Sequence, residues 1–127
     1  MPDGAKARAG PEPISAAKAD FFRVLGHPLR VRLLELLGEG ERSVSELQST
    51  LALDSSAASQ HLGALRKQGL LEARRQGASV YYRVKDTRML QLLDVARAII
   101  HAKLVETNAL LGRLSHEPEA ISAKRRA

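Results

Sequence analysis

The stretch from Ser43 to Val84, SVSELQSTLALDSSAASQHLGALRKQGLLEARRQGASVYYRV, restricts what this chain can fold into more than any other part of it. Two runs of helical periodicity are separated only by Leu51-Ala52-Leu53, and a basic segment with strand character follows. Ser43 with Glu46 three residues later is the pattern of a capping box that starts one helix, over 44–51. Asp54 is placed to cap the next, over 55–67. Gly69 stops that second helix. Gly77-Ala78 then divides the basic segment into two strands, 70–76 and 79–85, the second alternating Val80, Tyr82 and Val84 with Tyr81 and Arg83. The order is helix, turn, helix, strand, tight turn, strand.

The flanks supply the rest of a small domain. Residues 1–13 are rich in Pro, Gly and Ala without periodicity and are expected to be a flexible leader. A first helix is expected from Ser15 to Leu25, burying Phe21, Phe22 and Leu25. Gly26-His27-Pro28 breaks it, and Pro28 suits the first position of a second helix carrying Leu29, Leu33, Leu36 and Leu37. Gly38-Glu39-Gly40 ends that helix. The short helix at 44–51 should bury Val44, Leu47 and Leu51, and the one at 55–67 should bury Ala58, Leu62 and Leu65. Asp86 can cap a last helix reaching about Leu114, whose apolar residues cover more than one stripe. The excess calls for another surface, met either by a second copy of the chain or by a longer groove within the domain. The fold class is therefore mainly α with a small β-hairpin, ordered α-α-α-α-β-β-α, over residues 14–115. A tail at 116–127 ending in Lys124-Arg125-Arg126 is expected to be flexible and basic.

Composition narrows the function classes. At 127 residues the chain is one domain, and with 44% apolar but only 3% aromatic residues its core must be built from Leu, Val, Ile and Ala. A core of this size is marginal alone and is often completed by a partner subunit. The absence of cysteine excludes disulfides, thiolate metal sites and thiol redox sensing. No apolar run reaches the ~20 residues of a membrane span, and the N-terminus lacks a signal-peptide layout, so a cytoplasmic protein with no membrane partner is expected.

The formal charge of +6 is unevenly spread. Arg66, Lys67, Arg74, Arg75, Arg83 and Lys85 face only Asp54 and Glu72 between residues 54 and 85, whereas acids outnumber bases between 28 and 53. Cations concentrated on one helix end and a hairpin, beside small polar residues on that helix, match the way a winged helix-turn-helix reads duplex DNA. Solubilising surface charge is the plainer alternative for such a cluster taken alone.

Taken together, LGHPLRVRLLELL at 25–37, Ser-x-His-Leu at 59–62, Leu-Arg-Lys-x-Gly-Leu-Leu at 65–71 and Gly-x-x-x-Tyr-Tyr at 77–82 resemble the ArsR/SmtB family of small dimeric winged-helix repressors of prokaryotes. The resemblance extends over about residues 16–112. It implies a homodimer that sits on an inverted repeat and blocks transcription until an inducer weakens its grip. Double-stranded DNA and a second copy of the chain are then the expected partners. It places Ser55, Ser56, Ala57, Ser59 and Gln60 on the turns facing the major groove, with Gln60 able to pair bidentately with adenine. Capping by Ser55 and Ser56 and a solvated Gln60 are the structural alternatives. His61 matches the family's histidine and is read either as a DNA contact or as a packing element. Arg66 and Lys67 at the helix end, with Arg74, Arg75 and Arg83 on the wing, are expected at phosphates, and the small tip around Gly77 at the minor groove. The first and last helices would form the dimer interface through Phe21, Phe22, Leu93, Ala96, Ile100, Leu104 and Leu111.

Metal-sensing members carry Cys-x-Cys-Asp on the third helix and Asp-x-His on the last. This chain has Leu47-Gln48-Ser49-Thr50-Leu51-Ala52 and Asp94-Val95-Ala96 there, and Thr107 and Leu110 where partner ligands belong. No metal and no cofactor are expected; Asp94, His101 and Glu106 are the only candidates for an alternative site, and ordinary surface polarity accounts for them. The inducer is left open: a small organic molecule, a partner protein, or none. No HExxH or phosphate-binding glycine loop is present, and Ser59 and His61 point away from each other on one helix, so an enzyme is not expected. A non-specific architectural DNA binder and a winged-helix protein-interaction module remain as the competing classes.

Overall fold

The structure, a computed structural model, describes residues 13–114; the tail and all of the leader but Pro13 lie outside the described residues. Helix α1 (Pro13–Leu25) starts two residues earlier than expected, and none of its residues is buried. The expectation that Phe21, Phe22 and Leu25 bury is corrected: Phe21 and Leu25 are half-buried and Phe22 is 54% exposed. The two rings pack edge to face on each other, 5.4 Å between centres, since one chain offers too little apolar surface to cover them.

Helix α2 (Pro28–Gly38) supplies the centre of the core, with Leu33, Leu34, Leu36 and Leu37 buried. His27 caps it, its Nδ1 accepting from the Leu29 N–H at 3.1 Å, and Pro28 occupies the first turn, where a missing N–H loses nothing. Gly38 does more than end the helix. A Cβ at that position would lie 2.7 Å from Leu90 Cδ2, so any larger residue there would make the Leu90 side chain shift.

Strand β1 (Arg42–Ser43) was not legible as a strand, because two residues carry no periodicity. It pairs antiparallel with β3 (Ser79–Val84), which also pairs with β2 (Leu71–Gln76), giving a three-stranded sheet in the order β1-β3-β2 where a two-stranded hairpin was expected. Ser43 thereby serves twice. It sits opposite Tyr81 in the sheet and caps helix α3 (Val44–Leu51) through the full capping box with Glu46. Between β2 and β3, Gly77 has φ +62°, as the first position of a two-residue type II′ loop requires.

Helix α4 (Ser55–Lys67) has the expected bounds, and Ala58, Leu62 and Leu65 are buried as expected. With Leu47 of α3, Leu70 and Leu71 of the hairpin, and Met89, they complete a core in which no aromatic residue is buried. Val44 and Leu51 are only half-buried. Helix α5 (Arg88–Leu114) is 27 residues long, and Asp86 accepts from the Arg88 N–H at 2.9 Å at its start. A boundary between two compact units falls inside α5, after Leu90. In the second unit, Val95, Ile99, Ile100, Leu104, Val105, Leu110, Leu111 and Leu114 are each at least half exposed. Among the described residues no helix is long and apolar enough to cross a membrane.

Candidate nucleic-acid interface

The turn between α3 and α4 sets the orientation of α4. Ala52 closes α3 in the left-handed conformation, φ 54°, and Leu53 donates back to the Gln48 carbonyl at 2.9 Å. Asp54 then opens α4, its carboxylate accepting from the Ala57 N–H at 2.7 Å. That assignment removes the alternative in which Ser55 and Ser56 act as caps. Because Ala58, Leu62 and Leu65 face the core, Ser55, Ser56, Ser59 and Gln60 fall on the opposite face and are exposed, while Ala57 is half-buried at its edge. Gly63 lies on the same outer face, with nothing within 4 Å of where a Cβ would stand. Its position was not singled out from the sequence, although a glycine inside a helix with no packing reason is a signal in itself.

His61, read from the sequence either as a DNA contact or as a packing element, is held inside the fold. It is 6% exposed, its Nδ1 accepts from Arg30 Nε at 3.2 Å, and its ring lies 4.4 Å from that of His27. Arg30 in turn donates to the Val24 carbonyl at 3.3 Å. His61 thus ties α4 to the junction of α1 and α2, a packing role set by helical phase: one residue past Gln60 the helix has turned toward the core. Burial first, then the charges of His27 and Arg30, hold its pKa below the ordinary 6.5.

The arginines of the wing divide by strand alternation. Leu71, Ala73 and Arg75 alternate onto the face carrying the core, and Arg75 joins Arg66 of α4, with Ala73, Arg74, Val80 and Tyr82, around a shallow concavity between helix and wing. Glu72 and Arg74 point to the other face. There Arg83 pairs with Glu72 at 2.5 Å and Arg74 with Glu41 at 2.7 Å. Among the described residues, Arg66, Lys67 and Arg75 are exposed and make no ion pair, so the cations left for phosphates are fewer than the sequence count suggests.

The residues expected at a dimer interface stand as follows. Phe21 and Leu93 are half-buried; Phe22, Ala96, Ile100, Leu104 and Leu111 are exposed. Asp94 and His101 line a shallow depression on α5 together with Arg97 and Ala98, and Glu106 is exposed elsewhere on the helix. Among the described residues no group of three or more His, Asp or Glu side chains lies close enough to hold a metal ion. With Arg97 between Asp94 and His101, and no thiolate on α3, the residues at both family positions do not fit a metal.

Residues 25–74 match the model of a helix-turn-helix domain family. The chain is 45% identical over 101 residues to the HTH-type transcriptional regulator Rv0081 of Mycobacterium tuberculosis, spanning 79% of this chain and 89% of that one. The crystal structure of Rv0081 superposes with a TM-score of 0.72 at 44% identity, covering 76% of this chain and 98% of the other. The solution structure of a homodimeric winged helix-turn-helix DNA-binding domain from Mycobacterium bovis, described as a possible ArsR-family transcriptional regulator, is similar at a TM-score of 0.64 and 29% identity, over 73% and 90% of the two chains. The chain belongs to the ArsR/SmtB family. It is a DNA-binding transcriptional regulator with a winged helix-turn-helix. The biofilm growth-associated repressor of Xylella fastidiosa is also similar, 35% identical over 85 residues, 67% of this chain and 75% of its own. Within the family frame α3 and α4 are the helix-turn-helix, α4 the recognition helix, and β2–β3 the wing.

Proposed function

We propose that this regulator is a homodimeric repressor that reads an inverted repeat through α4 and the wing. The observation that carries the reading is the division of α4 into a leucine-faced inner side and an outer side of Ser56, Ser59 and Gln60, flanked by Arg66, Lys67 and Arg75, which make no ion pair among the described residues. Gln60 reads a base edge in the major groove, the amide matching adenine's N6 and N7. Arg66, Lys67 and Arg75 neutralise phosphates and set affinity and register. The half-exposed apolar surface of α5, with Phe22 of α1, is covered by a second copy, which places two recognition helices on successive half-sites. An inducer, whether an organic molecule or a partner protein, would act by binding one arrangement of the dimer in preference to the other.

Fluorescence anisotropy tests this reading directly. Purified protein is titrated onto the duplex upstream of its own gene, onto a duplex recovered by selection from a random pool, and onto a shuffled control, each at two salt concentrations. The repressor reading expects an advantage of at least ~10³-fold for one of the first two duplexes, with a steep salt slope. Equal affinity for all three, with the same slope, would instead describe a non-specific binder.

A further inference from the structure

On the outer face of the wing, every nitrogen of the Arg74 guanidinium is engaged within the chain. Nε and Nη2 donate to the two oxygens of Glu41 at 2.8 and 2.7 Å, Nη1 donates to Gln76 at 2.6 Å, and the guanidinium lies 4.6 Å from the centre of the Tyr81 ring. Glu41 is 33 residues away in sequence, immediately before β1. Tyr81 in β3 stands between Ser43 of β1 and Arg74 of β2. The pair therefore reaches across the whole sheet, from the strand that starts the helix-turn-helix to the outer strand of the wing. A two-pronged carboxylate, an amide and an aromatic face together are what a planar guanidinium binds best and an ammonium binds poorly.

This arrangement conflicts with a role for Arg74 at phosphate. Moving to DNA would exchange one anionic partner for another and surrender the amide bond and the ring. A cation already neutralised by a carboxylate also releases little counterion on binding. We propose that Arg74 is a positioning residue and Glu41 its partner, together pinning the wing to β1 and so fixing the angle at which Arg75 and the Gly77 tip meet the duplex. The inference rests on the DNA-binding reading above and adds to it an acidic residue, outside both recognition helix and wing, that strengthens DNA binding. It also revises the sequence-based expectation that Arg74, like Arg75, touches the backbone.

The test compares Arg74→Gln, Arg74→Lys, Glu41→Gln and the double variant Glu41→Gln/Arg74→Gln on the selected and the shuffled duplex across a salt series. A positioning pair lowers affinity for the selected duplex by about the same three- to tenfold in all four, because either loss dissolves one shared interaction. It leaves the salt slope at the wild-type value. A phosphate contact gives the opposite pattern: Arg74→Gln lowers the slope by about 0.9 per subunit, Arg74→Lys keeps it, and Glu41→Gln tightens binding by releasing the cation. That pattern would overturn the proposal. A second readout needs no variant: the Arg74 Nε–H resonance of the wild type should keep its chemical shift when duplex is added, and a shift on saturation would place Arg74 at the DNA. Slopes are measurable on the shuffled duplex as well, so a wild type without sequence preference would sink the operator reading while leaving the Arg74 comparison intact.

Discussion

Two neighbouring residues of α4, Gln60 and His61, show how one step of helical phase separates recognition from support. Gln60 is exposed on the outer face and His61 is buried against Arg30 and His27. Gln60→Ala is expected to relax preference at one base position of the operator, costing about 1–3 kcal/mol there and little on shuffled DNA. Arg75→Ala should weaken binding to both duplexes alike and reduce the salt slope by about 0.9 per subunit. Equal losses for Gln60→Ala on both duplexes would remove it as a base reader. His61 makes a prediction about acid. Its folded-state pKa is held below the unfolded value of 6.5, so the unfolded chain takes up a proton that the folded chain refuses. Its contribution to stability is complete above that value and is lost as pH falls through 6.5 toward the lowered folded value. Glu41, Glu46 and Asp86, held down chiefly by hydrogen bonds from Arg74, Ser43 and Arg88 respectively, with Asp86 at about 2, are lost only in stronger acid. Thermal midpoints measured from about pH 8 to pH 5 should therefore fall in the wild type and fall less in His61→Gln. Identical slopes for the two proteins would mean that another group carries the effect.

At the scale of the elements, α4 holds a conflict between stability and use. Gly63 sits in the middle of its exposed face, where glycine is about 1 kcal/mol less favourable than alanine and where no neighbour demands the missing Cβ. Among the described residues no intramolecular reason stands at that position, and close approach of the helix backbone to DNA would supply one. Gly63→Ala is expected to raise unfolding free energy by roughly 1 kcal/mol in a denaturant titration and to weaken operator binding in the same preparation. A variant that is both more stable and as tight a binder would show that the outer face does not approach DNA closely there. Gly38 is the contrasting case: a Cβ there would meet the Leu90 side chain, which would have to shift.

The whole molecule is defined by how little of α5 one chain covers. Only Met89 is buried along its 27 residues, while apolar side chains as far as Leu114 are half exposed. Exposed apolar surface of that extent is characteristic of an interface. Leu104→Glu together with Leu111→Glu is expected to convert the dimer to a monomer in sedimentation equilibrium. It should also weaken operator binding by at least about a hundredfold, since a half-site bound alone forfeits the gain of two linked contacts. Retention of the dimer in that variant would move the interface to another surface.

Local chemistry explains what was legible in the sequence. The capping box at Ser43, Asp54 at the start of α4, the glycine at the hairpin and the leucine spacing of α2 and α4 act within a few residues, so the order of the helices and the hairpin and the outer face of α4 follow from sequence alone. Tertiary structure decided what depends on residues far apart in the chain. Strand β1 exists only because β3 accepts it, and His61 is a support only because Arg30 and His27 reach it. Of three wing arginines that look alike in sequence, only Arg75 makes no ion pair among the described residues, because Glu41 and Glu72 are brought against the other two. Charge and periodicity could be counted along the chain; which charges cancel is set by which strands lie side by side.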